Sequence, residues 1–190
     1  MRKINDSLIL TFGVLLFVLS YKLDPQVNLF FKNVKFPIFD AVFGIITNFG
    51  VVILIFLIVP SIVFYKKNRK LIYLLWLVFI VSFILAFVIK LIVLRQRPIE
   101  AFNYPFTHII SYSFPSIHAM VVFSLLPLLI KFLPKYRYFW IAFAFLVGLS
   151  RIYFGFHFLS DVVFGALFGY FIGNYILQLY EKRKLNLWKK

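Results

Sequence analysis

Apolar residues run through this chain in long uninterrupted blocks, separated by short clusters of lysine, arginine and proline. Six blocks stand out, at about 5–21, 40–64, 71–93, 116–133, 138–155 and 160–180. Each approaches the roughly 20 residues that a helix needs to cross a bilayer. None alternates with the two-residue period of a barrel strand, and a backbone in lipid must pair its polar groups internally, so each block predicts a helix. The expected fold is all-α and polytopic: six transmembrane helices in one bundle, with residues 1–190 forming a single membrane-embedded domain.

Composition agrees with that pattern. Of the 190 residues, 63% are hydrophobic, against about 45–50% in a soluble domain. Met1 to Tyr21 has the basic start and apolar body of a signal peptide. The first alanine is Ala41, so no A-x-A cleavage site follows, and the segment is expected to stay as the first helix. Cysteine is absent, which excludes disulfides, thiolate zinc sites and cysteine nucleophiles. The carboxylates are Asp6, Asp24, Asp40, Glu100, Asp161 and Glu181. No two are close enough in sequence to suggest a local two-metal site, so neither metal nor cofactor chemistry is expected.

The net charge of +15 could point to nucleic acid, but its distribution argues for membrane lipids instead. Arg2 and Lys3, the 66–70 turn, Lys131, Lys135 and Arg137, and the tail from Lys182 all fall on one side of the predicted bundle. That side holds fourteen of the twenty-one lysines and arginines. It is therefore expected to be cytoplasmic, with both termini inside a cell membrane. Trp76, Trp140 and Trp188 fall near the same side, as an interfacial aromatic belt would. On the other side, Lys22, Lys32 and Lys35 flank Val27, Phe30, Phe31 and Val34, the pattern of an amphipathic helix lying on the outer surface. Lys90, Arg95, Arg97 and Arg151 sit at outer helix ends, against the charge bias.

Those last cations direct attention to function. Lys90 closes an apolar block where an ammonium is expensive to bury. Arg97 lies two turns on, sharing its face if the helix continues, and Pro98 follows. Taken alone, the pair reads equally well as side chains snorkelling to the interface. Pro115 and Ser116 form a helix start, with Ser116 a candidate N-cap and His118 in the first turn, and a helix N-terminus is a natural phosphate seat. His157 and Asp161, at i and i+4, share a face if both are helical, and a carboxylate beside an imidazole fixes its tautomer. Each cluster has a structural explanation by itself. All three fall on one side.

Lys90-x6-Arg97-Pro98, Pro115-Ser116-Ile117-His118 and Ser150-Arg151-x5-His157-x3-Asp161, in this order, resemble the signature of the type 2 phosphatidic acid phosphatase superfamily. The resemblance covers nearly the whole chain, departing at Ile117, where that family most often has glycine. It implies a metal-independent lipid phosphatase working through a phosphohistidine at the extracytoplasmic face. His157 would be the nucleophile, Asp161 its orienting partner and His118 the general acid and base. Lys90, Arg97, Ser116, Ile117 and Arg151 would hold the phosphate. Polyprenyl diphosphate such as undecaprenyl diphosphate, phosphatidic acid, phosphatidylglycerol phosphate and lipid A phosphate all stay open as substrates. A phosphotransferase using another lipid as acceptor and a non-catalytic lipid-binding relative are the alternatives. The loop from Ile99 to Phe114, with Phe102, Tyr104, Phe106 and Tyr112, is expected to anchor at the headgroups, and His108 within it, matching no motif, is expected to be a surface residue. Gly165, Gly169 and Gly173 are expected to serve close helix packing within the bundle, with homo-oligomer formation the alternative.

Overall fold

A computed structural model describes residues 6–98 and 112–187, with side chains over 11–98 and 112–182. Regular structure among the described residues is helical throughout. The helices are α1 (Asp6–Asn33), α2 (Pro37–Ile46), α3 (Phe49–Ile53), α4 (Val59–Lys67), α5 (Lys70–Val93), α6 (Ile117–Phe132), α7 (Arg137–Tyr153) and α8 (Leu159–Leu187). A π-helical turn, Leu54–Ile58, joins α3 to α4, so Phe49–Lys67 runs as one apolar span. Pro60, in the first turn of α4, has no N–H to give the ladder, and the π-helical turn lies just before it. Four segments are long and apolar enough to cross a membrane: Thr11–Asn33, Phe49–Lys67, Lys70–Val93 and Leu159–Lys182. Large apolar side chains such as Phe12, Leu15, Ile62, Tyr73, Ile92 and Phe145 face outward. Water would not tolerate such a surface, and hydrocarbon does. This is a membrane protein.

α6 lies at the centre, packed against α8, α5 and α7, and from Ala119 to Leu129 all but Phe123 are buried. Its contact with α8 is the tightest in the bundle, and glycine makes it so. A Cβ on Gly165, Gly169 or Gly173 would lie 2.8, 2.2 or 1.8 Å from the carbonyl oxygens of Ser116, Met120 or Ser124. The four-residue repeat of glycine is therefore a groove for the α6 backbone, as the intrabundle packing reading expected.

Several expectations are corrected. The segment around Val27 to Val34 is no separate surface helix, because α1 continues through Pro25 to Asn33. Buried Asp24 anchors that stretch to the start of α8 through Ser160. The block at 40–64 is broken, because Asn48 accepts from Gly50 N–H at 2.8 Å and starts α3 afresh. The outer short helix is instead α2, pinned to α7 by Tyr153. The tyrosine hydroxyl donates to Asp40 Oδ1 at 2.7 Å and accepts from Phe36 N–H at 3.1 Å. Trp140 is not an interfacial belt residue but is buried against Phe56 and Phe139. Trp188 and the loop residues Phe102, Tyr104, Phe106 and His108 lie outside the described residues. Phe114 turns inward, its ring 4.7 Å from that of Phe164.

Candidate active site

Two helix ends and one interhelical turn converge at the end of the bundle away from the 66–70 cluster. The first is the end of α5. Leu94 adopts a left-handed conformation (φ 51°) that costs a residue with a Cβ about 1–2 kcal/mol, and the helix stops there. Arg97 therefore does not lie on a continued α5 face, as the two-turn spacing suggested. It reaches inward from a non-helical segment and donates to Phe156 O at 3.1 Å. Lys90 is 1% exposed and donates to the Tyr112 carbonyl.

The second is the start of α6. Ser116 is its N-cap, the hydroxyl accepting from Ala119 N–H, and Ser116 N–H donates to Asp161 O at 3.1 Å. That bond ties the starts of α6 and α8 together. The third is the turn from α7 to α8. Gly155, at φ 69°, sits just past the helix end, where a left-handed residue closes the last carbonyls. Phe156 and His157 N–H both return to Arg151 O, so the chain folds back and delivers His157 beneath Arg151. His157 lies before α8, and Asp161 in its first turn, so the shared face comes from this turn rather than from one helix. Asp161 Oδ2 accepts from Phe158 N–H at 2.8 Å and stands 3.7 Å from His157 Nδ1. At 3.7 Å the pair is within ion-pair range but longer than a hydrogen bond.

A cavity of about 270 Å³ opens among these parts. Lys90, Arg97, Ile117, His118, Arg151 and His157 line it, with Phe49, Phe83 and Phe87 on its apolar side. Among the described residues no carboxylate is in its wall. Ser116 and Asp161 sit directly behind the wall, wholly buried. Three buried polar atoms around the cavity have no hydrogen-bond partner: His118 Nε2, Arg151 Nε and His157 Nδ1. Arg151 is held by Thr47 Oγ1, which accepts from Nη1 at 2.5 Å. His118 rests edge-on against Phe49, with ring centroids 4.8 Å apart. Burial first, then Arg151, Arg97 and Lys90, hold the His157 imidazole well below the ordinary histidine range. It is therefore neutral at neutral pH.

Sequence reasoning missed two participants. Thr47 falls inside the predicted span 40–64, and nothing in its neighbourhood announces the break at Asn48 that turns its hydroxyl to Arg151. Asp24 read as one isolated acid among six. Its proximity to Asp161 comes only from the pairing of α1 with α8.

A helical membrane bundle with a cation-lined, two-histidine cavity at one end defines a class: membrane proteins whose buried cations can accommodate a small polyanion. A sequence profile of the PAP2 superfamily matches residues 70–185, a stretch containing all three motifs. The chain belongs to the PAP2 superfamily. It is 35% identical over 106 residues to the bacitracin transport permease protein BcrC of Bacillus licheniformis. That match covers 54% of this chain and 52% of the relative, so it spans about half of that protein. In three dimensions the chain resembles a transmembrane PAP2-type phosphatidylglycerolphosphate phosphatase from Bacillus subtilis, whose crystal structure is known. The TM-score is 0.69 at 25% identity, covering 92% of this chain and 94% of that one.

Proposed function

We propose that the chain is a metal-independent lipid phosphatase that cleaves a phosphate monoester or diphosphate bond through a phosphohistidine on His157. The observation that carries this reading is the cavity: three cations, two histidines and three unpartnered polar atoms around a space of about 270 Å³, ample for a phosphate group. A buried donor or acceptor left unpaired costs about 1–3 kcal/mol; phosphate oxygens would remove that cost at His118 Nε2 and Arg151 Nε, while His157 Nδ1 faces Asp161 Oδ2 at 3.7 Å. Neutral His157 attacks phosphorus, Asp161 steadies the imidazolium that forms, and His118 protonates the leaving oxygen. His118 then takes a proton from the water that hydrolyses the phosphohistidine. Lys90, Arg97 and Arg151 stabilise charge on the equatorial oxygens, the main requirement of phosphoryl transfer. Ser116 fixes the first turn of α6, and Ile117 contributes wall and backbone.

The remaining parts of the reading follow from position. Residues 1–190 act as one membrane-embedded domain, with α1, Phe49–Lys67, α5, α6, α7 and α8 as six spans. Both termini are cytoplasmic, and the cavity faces the extracytoplasmic side. The apolar wall of Phe49, Phe83 and Phe87 suits a substrate whose tail stays in the bilayer, so the substrate is a lipid. Phosphatidylglycerol phosphate and a polyprenyl diphosphate are the first two to test, with phosphatidic acid and lipid A phosphate after them.

The test is phosphate release by the purified protein in detergent, with chelator present, across that panel. Release from a single lipid is expected, and loss of release on chelation would overturn the metal-free mechanism. His157→Ala should abolish turnover and acid-labile phosphoenzyme together. A requirement for a second lipid would instead favour phosphotransfer.

A further inference from the structure

Arg95 belongs to none of the three motifs, yet it has the most elaborate set of partners near the site. Its Nη1 donates to Asp161 Oδ1 and to Ser160 Oγ, each at 2.7 Å, and its Nη2 donates to Asp24 Oδ2 at 2.8 Å. Asp24 in turn accepts from Ser160 N–H at 2.9 Å and from Ser160 Oγ at 2.5 Å. The guanidinium plane lies over the Phe158 ring, 4.1 Å from its centroid, with Tyr21 at 5.3 Å on the other contact. Arg95 takes no part in the cavity wall.

The consequence is a division of labour across one carboxylate. Asp161 has two oxygens. Arg95 takes Oδ1, which leaves Oδ2 for Phe158 N–H and for the His157 ring. With the carboxylate held from both sides, its rotation about χ2 is blocked, and the face offered to His157 is fixed. Asp24 holds Arg95 in turn, and so connects α1 to the reacting histidine through two ion pairs whose carboxylates are buried and whose guanidinium is partly buried. A planar fork with two donors pointing at two acids is a task for arginine that lysine cannot repeat.

We infer that Arg95, held by Asp24 on α1, is a positioning residue for the reaction, locking Asp161 in the orientation that serves His157. The inference rests on the assignment of His157 as nucleophile and adds α1 to the catalytic apparatus. It separates Arg95 from Arg97: the first acts through Asp161, the second on phosphate.

The experiment compares Arg95→Met, Asp24→Asn and Arg97→Met with the unaltered full chain in detergent. Substrates are short-chain phosphatidic acid, phosphatidylglycerol phosphate and a polyprenyl diphosphate, with the melting temperature measured alongside. Arg95→Met should lower kcat about 30- to 100-fold with KM within about twofold, since an orienting contact is lost and a phosphate contact is not. Guanidinium ion at millimolar concentration should restore part of the Arg95→Met loss. Asp24→Asn should lower kcat about 5- to 10-fold, and the double variant should fall no further than Arg95→Met, because both act in one chain of contacts. Arg97→Met should raise KM. The inference is overturned if folded Arg95→Met and Asp24→Asn keep kcat within about twofold, or if Arg95→Met changes KM alone. Misfolding of both variants also overturns it, since a residue needed only to assemble the bundle positions nothing. The outcome for His157→Ala is independent: an active His157→Ala removes the nucleophile assignment, while a dead one leaves the Arg95 measurements to decide.

Discussion

His157 is 3% exposed and surrounded by Arg151, Arg97 and Lys90, and both facts disfavour adding a proton to its ring. The sign of the pH dependence follows. In the proposed mechanism protonation removes the attacking lone pair, and here it requires more acid than for an ordinary imidazole, with a pKa of about 6.5. The acid limb of kcat/KM should therefore fall below that value, because it reports the free enzyme. A limb at or above it would mean that some other group limits the reaction. Thr47 offers a second residue-level test. Its hydroxyl is the acceptor that aims Arg151, and Thr47→Val keeps the shape while deleting the acceptor. One hydrogen bond to a charged group is worth about 1.5–3 kcal/mol, so KM for a lipid phosphate should rise about tenfold or more. Steady-state kinetics on the folded variant check this, and an unchanged KM would show that Arg151 is aimed by its helix alone.

Among the elements, the α6–α8 pair decides whether a site exists, because α6 supplies His118 and the start of α8 supplies Asp161. Gly169→Ala would push a methyl to 2.2 Å from Met120 O, backbone that cannot swing away. Overpacking of this kind costs about 1–3 kcal/mol or more, so both thermal stability in detergent and phosphate release should fall. Gly13→Ala is the matched control, since its Cβ would make ordinary contact with Leu167 at 3.7 Å. Equal melting temperatures for the two variants would dispose of the groove. The glycine repeat was readable in the sequence because small residues at four-residue spacing have one common use in apolar helices. The start of α6 was readable for a similar reason, because Pro115 and Ser116 carry local start chemistry, whereas α5 stops at left-handed Leu94, ahead of Pro98. What stayed hidden depends on long-range pairing. Apolar pattern cannot distinguish one 28-residue α1 from a span followed by a surface helix, because the contact of Asp24 with Ser160 that anchors its second half is long-range. Nor can it break 40–64 at Asn48, whose cap is a single side-chain oxygen. Lys90, Arg97, Arg151, His118 and His157 reach one cavity because the two helix ends and the turn carrying them meet, and only the fold brings Arg95 to Asp24 and Asp161.

Taken as a whole, the molecule has a stronger charge asymmetry than residue counting suggests. Of the seven cations at the cavity end, Lys90, Arg95, Arg97 and Arg151 are engaged inside the site, and Lys35 lies 4.2 Å from the Tyr153 ring centroid. Only Lys22 and Lys32 remain there as exposed charges without such a task. The opposite end presents Lys66, Lys67, Arg69 and Lys70 in one exposed turn, and each such charge near an anionic leaflet is worth about 1 kcal/mol. Topology should therefore be firm, with the 66–70 turn cytoplasmic and the cavity outside. Because the chain has no cysteine, a single introduced thiol reports its own side without background. Asn33→Cys, at the exposed cavity-end terminus of α1, should react with a membrane-impermeant maleimide on intact cells. Asn68→Cys, in the basic turn, should react only after permeabilisation. The reverse pattern would put the histidines at the inner leaflet, and the phosphorylated lipids available there would replace those proposed as substrates.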